Sequence, residues 1–174
     1  MNQQELIVEC ISKATTNVFA TMMGVEIRPG EVSIESETPH PNDGVVSLIG
    51  LAGTWVGTGT LICTPALACR VCAQMLMTES SSVNEEVLDA VAELTNMIIG
   101  GVKTDLEQQL GPLGLSIPTV VFGRNFKTRS AGTTEWIVVR FHWDDECLVV
   151  KVCLSPKGRV SHPHLPAHTC TLDV

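Results

Sequence analysis

SVNEEVLDAVAELTNMIIGGVKTDLEQQL, residues Ser82 to Leu110, reads as one long helix, and the fold of the chain follows from how that helix is used. Ser82 with Glu85 three residues on predicts a capping box, the hydroxyl accepting from an early backbone N–H and the carboxylate reaching back to the cap's own N–H. Gly111 and Pro112 predict the stop, because glycine accepts a left-handed turn and proline cannot extend the ladder. At about 1.5 Å per residue the helix spans roughly 40 Å. Leu88, Val91, Thr95, Ile98, Val102 and Leu106 recur at steps of three and four and predict the buried face.

The opposite face carries the functional signal. Asp89, Glu93, Asn96 and Gly100 stand four, three and four apart, so their side chains stack one turn above another. Asn and Asp are mediocre helix formers, and Gly100 and Gly101 in mid-helix each cost on the order of 1 kcal/mol relative to Ala. Spacing alone gives the ordinary reading, a solvated face with a glycine pair at a helix contact. Close approach of a second backbone at the glycines, with Glu93 and Asn96 presented beside it, is the functional alternative.

The pattern Asp89-x-x-x-Glu93-x-x-Asn96 followed by Met97 to Lys103 resembles the signature helix of the CheC/CheX/FliY family of bacterial chemotaxis phosphatases. Asn17 to Glu26 is similar to the first helix and strand approach of the CheX type, and Leu48 to Gly53 with Gly57-Thr58-Gly59 to its glycine-rich hairpin. Pro118 to Gly123 resembles the strand after the signature helix. The likeness covers roughly residues 5 to 155, and its single Glu-x-x-Asn motif points to CheX rather than to the two-motif types. It implies hydrolysis of the aspartyl-phosphate of a CheY-type response regulator, and a homodimer. An acyl phosphate is already activated, so its hydrolysis chiefly needs an in-line water and stabilised charge on the phosphoryl oxygens. Asn96, which can both accept from and donate to a water, is assigned to hold that water. Glu93 is assigned to pair with the regulator's active-site lysine, Asp89 to anchor the helix face, and Gly100 and Gly101 to let the regulator's backbone, or a neighbouring helix, come close. The chain then needs no cofactor of its own, since the regulator supplies Mg²⁺. The alternatives are a non-catalytic module of the same fold that binds a regulator, and a structural dimer with the polar stripe buried between helices.

Outward from the long helix, Leu6 to Met22 follows helical spacing and predicts a first helix ending near Gly24. Val25 to Glu35, with a turn or bulge at Pro29-Gly30, predicts a strand, and Val45 to Leu51 with Trp55 to Cys63 a hairpin around Ala52-Gly53. Pro65 opens a short helix, Ala66 to Met77. After the long helix, Leu113 to Gly123 predicts a loop and a fourth strand, Thr134 to Trp143 a fifth and Cys147 to Leu154 a sixth, with Asp144-Asp145-Glu146 as hairpin tip. Helix plus three strands occurs twice, without a strand–helix–strand rhythm. The prediction is an α+β fold: a mostly antiparallel six-stranded sheet with helices packed on it, formed by internal duplication, in one domain over residues 1–155. Long apolar strands, such as Cys147 to Leu154, are expected to supply a shared dimer edge.

A net charge of −8 repels phosphate backbones and excludes general nucleic-acid binding. No run approaches 18 apolar residues, and Glu9 and Lys13 interrupt the N-terminal stretch, so neither a membrane span nor a signal peptide is expected. Seven cysteines, an odd number, leave no complete disulfide framework and point to a reducing, cytoplasmic compartment. Cys69-x-x-Cys72 lies inside a helix without a second pair and reads as core; Gly57-x-Gly59 lacks the surroundings of a nucleotide loop. Residues 156–174, rich in Pro and His, read as a flexible tail. Metal binding by His162, His164, His168 and Cys170 is not expected.

Overall fold

The computed structural model describes residues 2–36, 42–128 and 135–158. In chain order they form α1 (Gln3–Met23), β1 (Arg28–Ser36), β2 (Asn42–Gly53), β3 (Trp55–Cys63), α2 (Pro65–Leu76), α3 (Glu85–Leu110), β4 (Leu113–Leu115), β5 (Thr119–Phe126), β6 (Glu135–Trp143) and β7 (Glu146–Pro156). Every strand pairing is antiparallel, in the order β1-β6-β7-β3-β2-β4 with β5 also on β2. With β4 set aside, exchanging β1 with β5, β6 with β2 and β7 with β3 turns that order into itself, with the β3–β7 pair at its centre. This is the duplication read from the sequence, expressed as a two-fold in topology.

Three expectations need correction. The sheet has seven strands, because the fourth predicted strand is broken in two. Leu51 pairs with Leu115 and Leu48 with Thr119, so two residues of β2, Ile49 and Gly50, face three on the partner: Ser116, Ile117 and Pro118. The extra residue is a β-bulge, and Pro118, having no N–H to give, marks where the ladder fails. Next, β7 cannot offer a dimer edge, because it lies between β6 and β3; among the described residues the sheet's margins are β1 on one side and β4 with β5 on the other. Finally, α3 is capped by Asn84, not Ser82: the Asn84 side chain accepts from the Val87 N–H at 3.0 Å, and Glu85 is the first helical residue rather than the box partner. Gly111 ends the helix at φ +82° but with extended ψ, its N–H donating to the Glu107 carbonyl.

The core lies between the helices and one sheet face. Ile137, Val139 and Phe141 of β6 and Val150 and Val152 of β7 point into it, with Leu94, Ile98, Val102 and Leu106 of α3 and Ile7, Ile11 and Phe19 of α1 opposite. Leu88, predicted buried, is half-buried, and Val87 takes its place. Two glycines of the hairpin explain themselves here. A Cβ on Gly57 would lie 1.9 Å from the Cys153 carbonyl, and one on Gly59 2.8 Å from Ile99, so this pair serves strand and helix packing. Phe19 meets Trp143 edge-on at 5.8 Å, and Arg70 of α2 stacks 3.7 Å above the same indole while pairing with Asp144. Alternating residues Trp136 and Val138 join Cys153 in a smaller cluster on the other face. There Glu35 bridges Arg140 and Lys151 at 2.9 and 2.8 Å. Burial alone would raise its carboxyl, but the hydrogen bonds from Lys151 and Arg140 outweigh that and hold it below the usual range.

Among the described residues no helix is long and apolar enough to cross a membrane. Cys69 and Cys72 are free, Cys72 buried, and burial pushes both thiols up, the reverse of a reactive pair. His162, His164, His168 and Cys170 lie outside the described residues.

Candidate active site

The polar stripe forms on α3 because the opposite face is fixed by burial. Val91, Leu94, Thr95, Ile98 and Ile99 are all at or below 2 % exposed, and the 3.6-residue period then turns Asp89, Glu93 and Asn96 to the surface. Thr95, polar but fully buried, donates its hydroxyl to the Val91 carbonyl at 2.7 Å and so adds no unsatisfied group. Some other charges on these helices are paired, Lys13 with Asp105 and Lys103 with Glu107, both at 2.9 Å. Asp89, Glu93 and Asn96 make no side-chain hydrogen bond or ion pair among the described residues. Three polar groups in a row, exposed and unpartnered, are free to meet an outside molecule.

They are also not on a flat surface. Asp89, Ala92, Glu93 and Asn96 form one wall of a groove of about 350 Å³, and Ser116, Ile117 and Pro118 form the other. The second wall was not read from the sequence, where Ile117 lay within a predicted loop. The bulge that breaks the fourth strand creates it. Ser116 holds that wall in place by donating its N–H to the Gly50 carbonyl at 2.9 Å and accepting from the Gly50 N–H through Oγ at 2.8 Å. A Cβ on Gly50 would sit 3.3 Å from that Oγ, so a bare residue there lets the wall close on the sheet. The signal in the sequence was the Ser-Ile-Pro triplet, a bulky apolar residue beside a residue that cannot donate to a ladder.

The two glycines fall in different places. Gly101 faces α1, where a Cβ would come 3.0 Å from the Ala14 Cβ, so its bareness serves close helix packing. Gly100 is half-buried next to the Leu115 side chain, which a Cβ would meet only at an ordinary 3.8 Å. Of the five residues named from the sequence, Asp89, Glu93 and Asn96 share the groove, Gly100 lies further along the same face, and Gly101 belongs to the helix contact. Among the described residues no group of three or more His, Cys, Asp or Glu is placed to hold a metal ion. The groove can orient a water and receive a cation.

A second groove, of about 470 Å³, lies on α1. Lys13, Thr16, Asn17 and Ala20 line it at the same spacing as Asp89, Ala92, Glu93 and Asn96, and Glu26 to Arg28 leads into β1, with Arg28 its first residue, where Ser116 to Pro118 precedes β5.

The chain is similar to known proteins. The family model for the chemotaxis phosphatase CheX matches residues 45–142. A CheY-P phosphatase CheX from Thermotoga maritima is 30% identical over 127 residues, which cover 72% of this chain and 81% of that protein. A crystal structure of a CheC-like superfamily protein from Shewanella sp. PV-4 superposes with a TM-score of 0.77 at 27% identity, covering 89% of this chain and 99% of that one. A CheX–CheY–BeF3–Mg²⁺ complex from Borrelia burgdorferi shares the fold, with a TM-score of 0.68 at 23% identity over 85% of this chain and 97% of that one.

Proposed function

This chain belongs to the chemotaxis phosphatase CheX family, and from that premise we propose that it dephosphorylates a CheY-type response regulator in the cytoplasm, with Asn96 and Glu93 as the working residues. The observation that carries the reading is the exposed, unpartnered row of Asp89, Glu93 and Asn96 along one wall of a groove, on a helix whose opposite face is committed to packing. The Thermotoga maritima relative is named for this reaction, and the Borrelia burgdorferi structure is named for a complex of CheX with CheY, BeF3 and Mg²⁺.

The regulator brings the aspartyl-phosphate, Mg²⁺ and a lysine. What the chain adds is geometry. Asn96 accepts from and donates to one water and holds it in line with the phosphorus–oxygen bond that breaks, replacing an encounter with a fixed attack. A carboxamide does not take the water's proton, which ends on the phosphate released as the aspartate carboxylate leaves; the Mg²⁺ of the regulator would offset charge on the phosphoryl oxygens. Glu93, one turn away, pairs with the regulator's lysine, a contact that gains from exclusion of water at the interface compared with an exposed pair at ~0–1 kcal/mol. Asp89 supports docking one turn earlier, and Gly100 leaves room for the partner's backbone beyond Asn96. The glycine pair is divided in this reading, with Gly101 given over to α1. We also propose a homodimer joined at the edge of β1 that is unpaired among the described residues, where Val32 and Ile34 are 46% and 52% exposed; a monomeric mass at micromolar concentration overturns it.

The test is the decay of a phosphorylated CheY-type regulator with Mg²⁺, alone and with this protein. Asn96→Ala is expected to remove about 100-fold or more of the acceleration while leaving binding near wild type. Glu93→Ala is expected to weaken binding by roughly tenfold. Wild-type protein that binds the regulator without speeding decay overturns the enzymatic reading in favour of a binding module.

A further inference from the structure

Ile117 is a large aliphatic side chain left 87% exposed, in a segment that is not loose. Ser116 on one side is locked to Gly50 by two hydrogen bonds, and Pro118 on the other has a fixed φ and leads directly into the paired Thr119. The bulge gives up regular pairing at this point of the sheet margin, and its effect is to turn one apolar side chain outward beside the polar wall of the groove. The corresponding groove in the other half shows that the frame does not require this: Ile27, which immediately precedes β1 and lines the α1 groove, is only 5% exposed.

We propose that Ile117 is the hydrophobic anchor by which the phosphorylated receiver domain is seated, and so a determinant of which regulators the protein accepts. The proposal rests on the phosphatase reading. Its step is short: Asn96 and Ile117 face each other across a groove of about 350 Å³, so a partner whose phosphoryl group comes within hydrogen-bond reach of a water on Asn96 necessarily covers Ile117. The partner surface that fits is an apolar side chain at the rim of the receiver's acidic phosphorylation pocket. Burying an aliphatic group held on a rigid wall adds affinity with little ordering cost, and it adds it equally to ground and transition states. Ile117 is therefore a positioning residue that acts on KM and not on kcat.

The experiment measures initial rates of regulator dephosphorylation against the concentration of phosphorylated CheY-type regulator for wild type, Ile117→Ala, Ile117→Leu and Ile117→Lys. Expected are a rise in KM of roughly tenfold for Ala and more for Lys, an unchanged kcat, near wild-type KM for Leu, and an unchanged thermal midpoint for all three, since the side chain is outside the core. A wild-type protein with no activity removes the phosphatase reading itself. An active wild type whose Ile117→Ala variant keeps KM within twofold overturns the anchor alone. So does a variant that lowers kcat at constant KM, or one that keeps KM but shifts the oligomeric mass, which would assign Ile117 to a second copy of the chain.

Discussion

The α3 groove and the α1 groove have the same frame and opposite fittings. Each is a helix wall with lining residues at relative positions 0, 3, 4 and 7, closed by the three residues that precede a marginal strand or its first residue. On α3 those positions hold Asp89, Ala92, Glu93 and Asn96, unpaired; on α1 they hold Lys13, Thr16, Asn17 and Ala20, with Lys13 tied to Asp105. The closing segments differ as sharply, Ile117 exposed against Ile27 buried. The lesson is that duplication supplied the scaffold twice, while the polar pair and the exposed anchor occur together on one copy. Under the proposed function, fold and function separate within a single chain.

That contrast can be broken most directly by activity. Asn17→Ala, which removes the only carboxamide of the α1 groove, is expected to leave regulator dephosphorylation at the wild-type rate, against the loss of about 100-fold or more for Asn96→Ala. Comparable losses in initial-rate assays would mean that both grooves work. The helix contact sharpens it next. Gly101→Val adds bulk where a Cβ already meets Ala14 at 3.0 Å and is expected to cost about 2 kcal/mol in urea unfolding. Gly100→Ala meets only Leu115 at 3.8 Å and is expected to gain up to about 1 kcal/mol through helix propensity. If Gly100 admits the regulator's backbone, the same substitution weakens binding in a titration while raising stability. The smallest effect concerns the helix starts. Both helices are capped by asparagine, Asn2 within a reciprocal box with Glu5 and Asn84 without one. Asn84→Ala should lose about 1 kcal/mol and Ser82→Ala nothing measurable; the reverse order would restore the Ser82 cap.

Much of the site was legible because it lies on a helix. A 3.6-residue period converts spacing into a shared face without any knowledge of the rest of the fold, so Asp89, Glu93 and Asn96 could be grouped from the sequence alone. Strand identity was legible for the same kind of reason: alternation and turn residues located β3, β6 and β7 to within a residue or two. Strand order was not, since register depends on partners far away in the chain. This is why Cys147 to Leu154, apolar enough to be taken for an edge, turned out to be interior. The bulge was missed because it is a property of two strands counted against each other, two residues of β2 facing three across the gap.

The sequence by itself determined the class of fold, its duplication and the polar row on the long helix, because local periodicity and turn chemistry act over a few residues. Only the tertiary structure decided that the row has a facing wall, that Gly101 belongs to α1 while Gly100 does not, and that Ile117 stands in the open. Those outcomes come from segments distant in sequence meeting in space. Their geometry is set by packing and by the completion of hydrogen bonds at the Ser116–Gly50 junction, which no local pattern encodes.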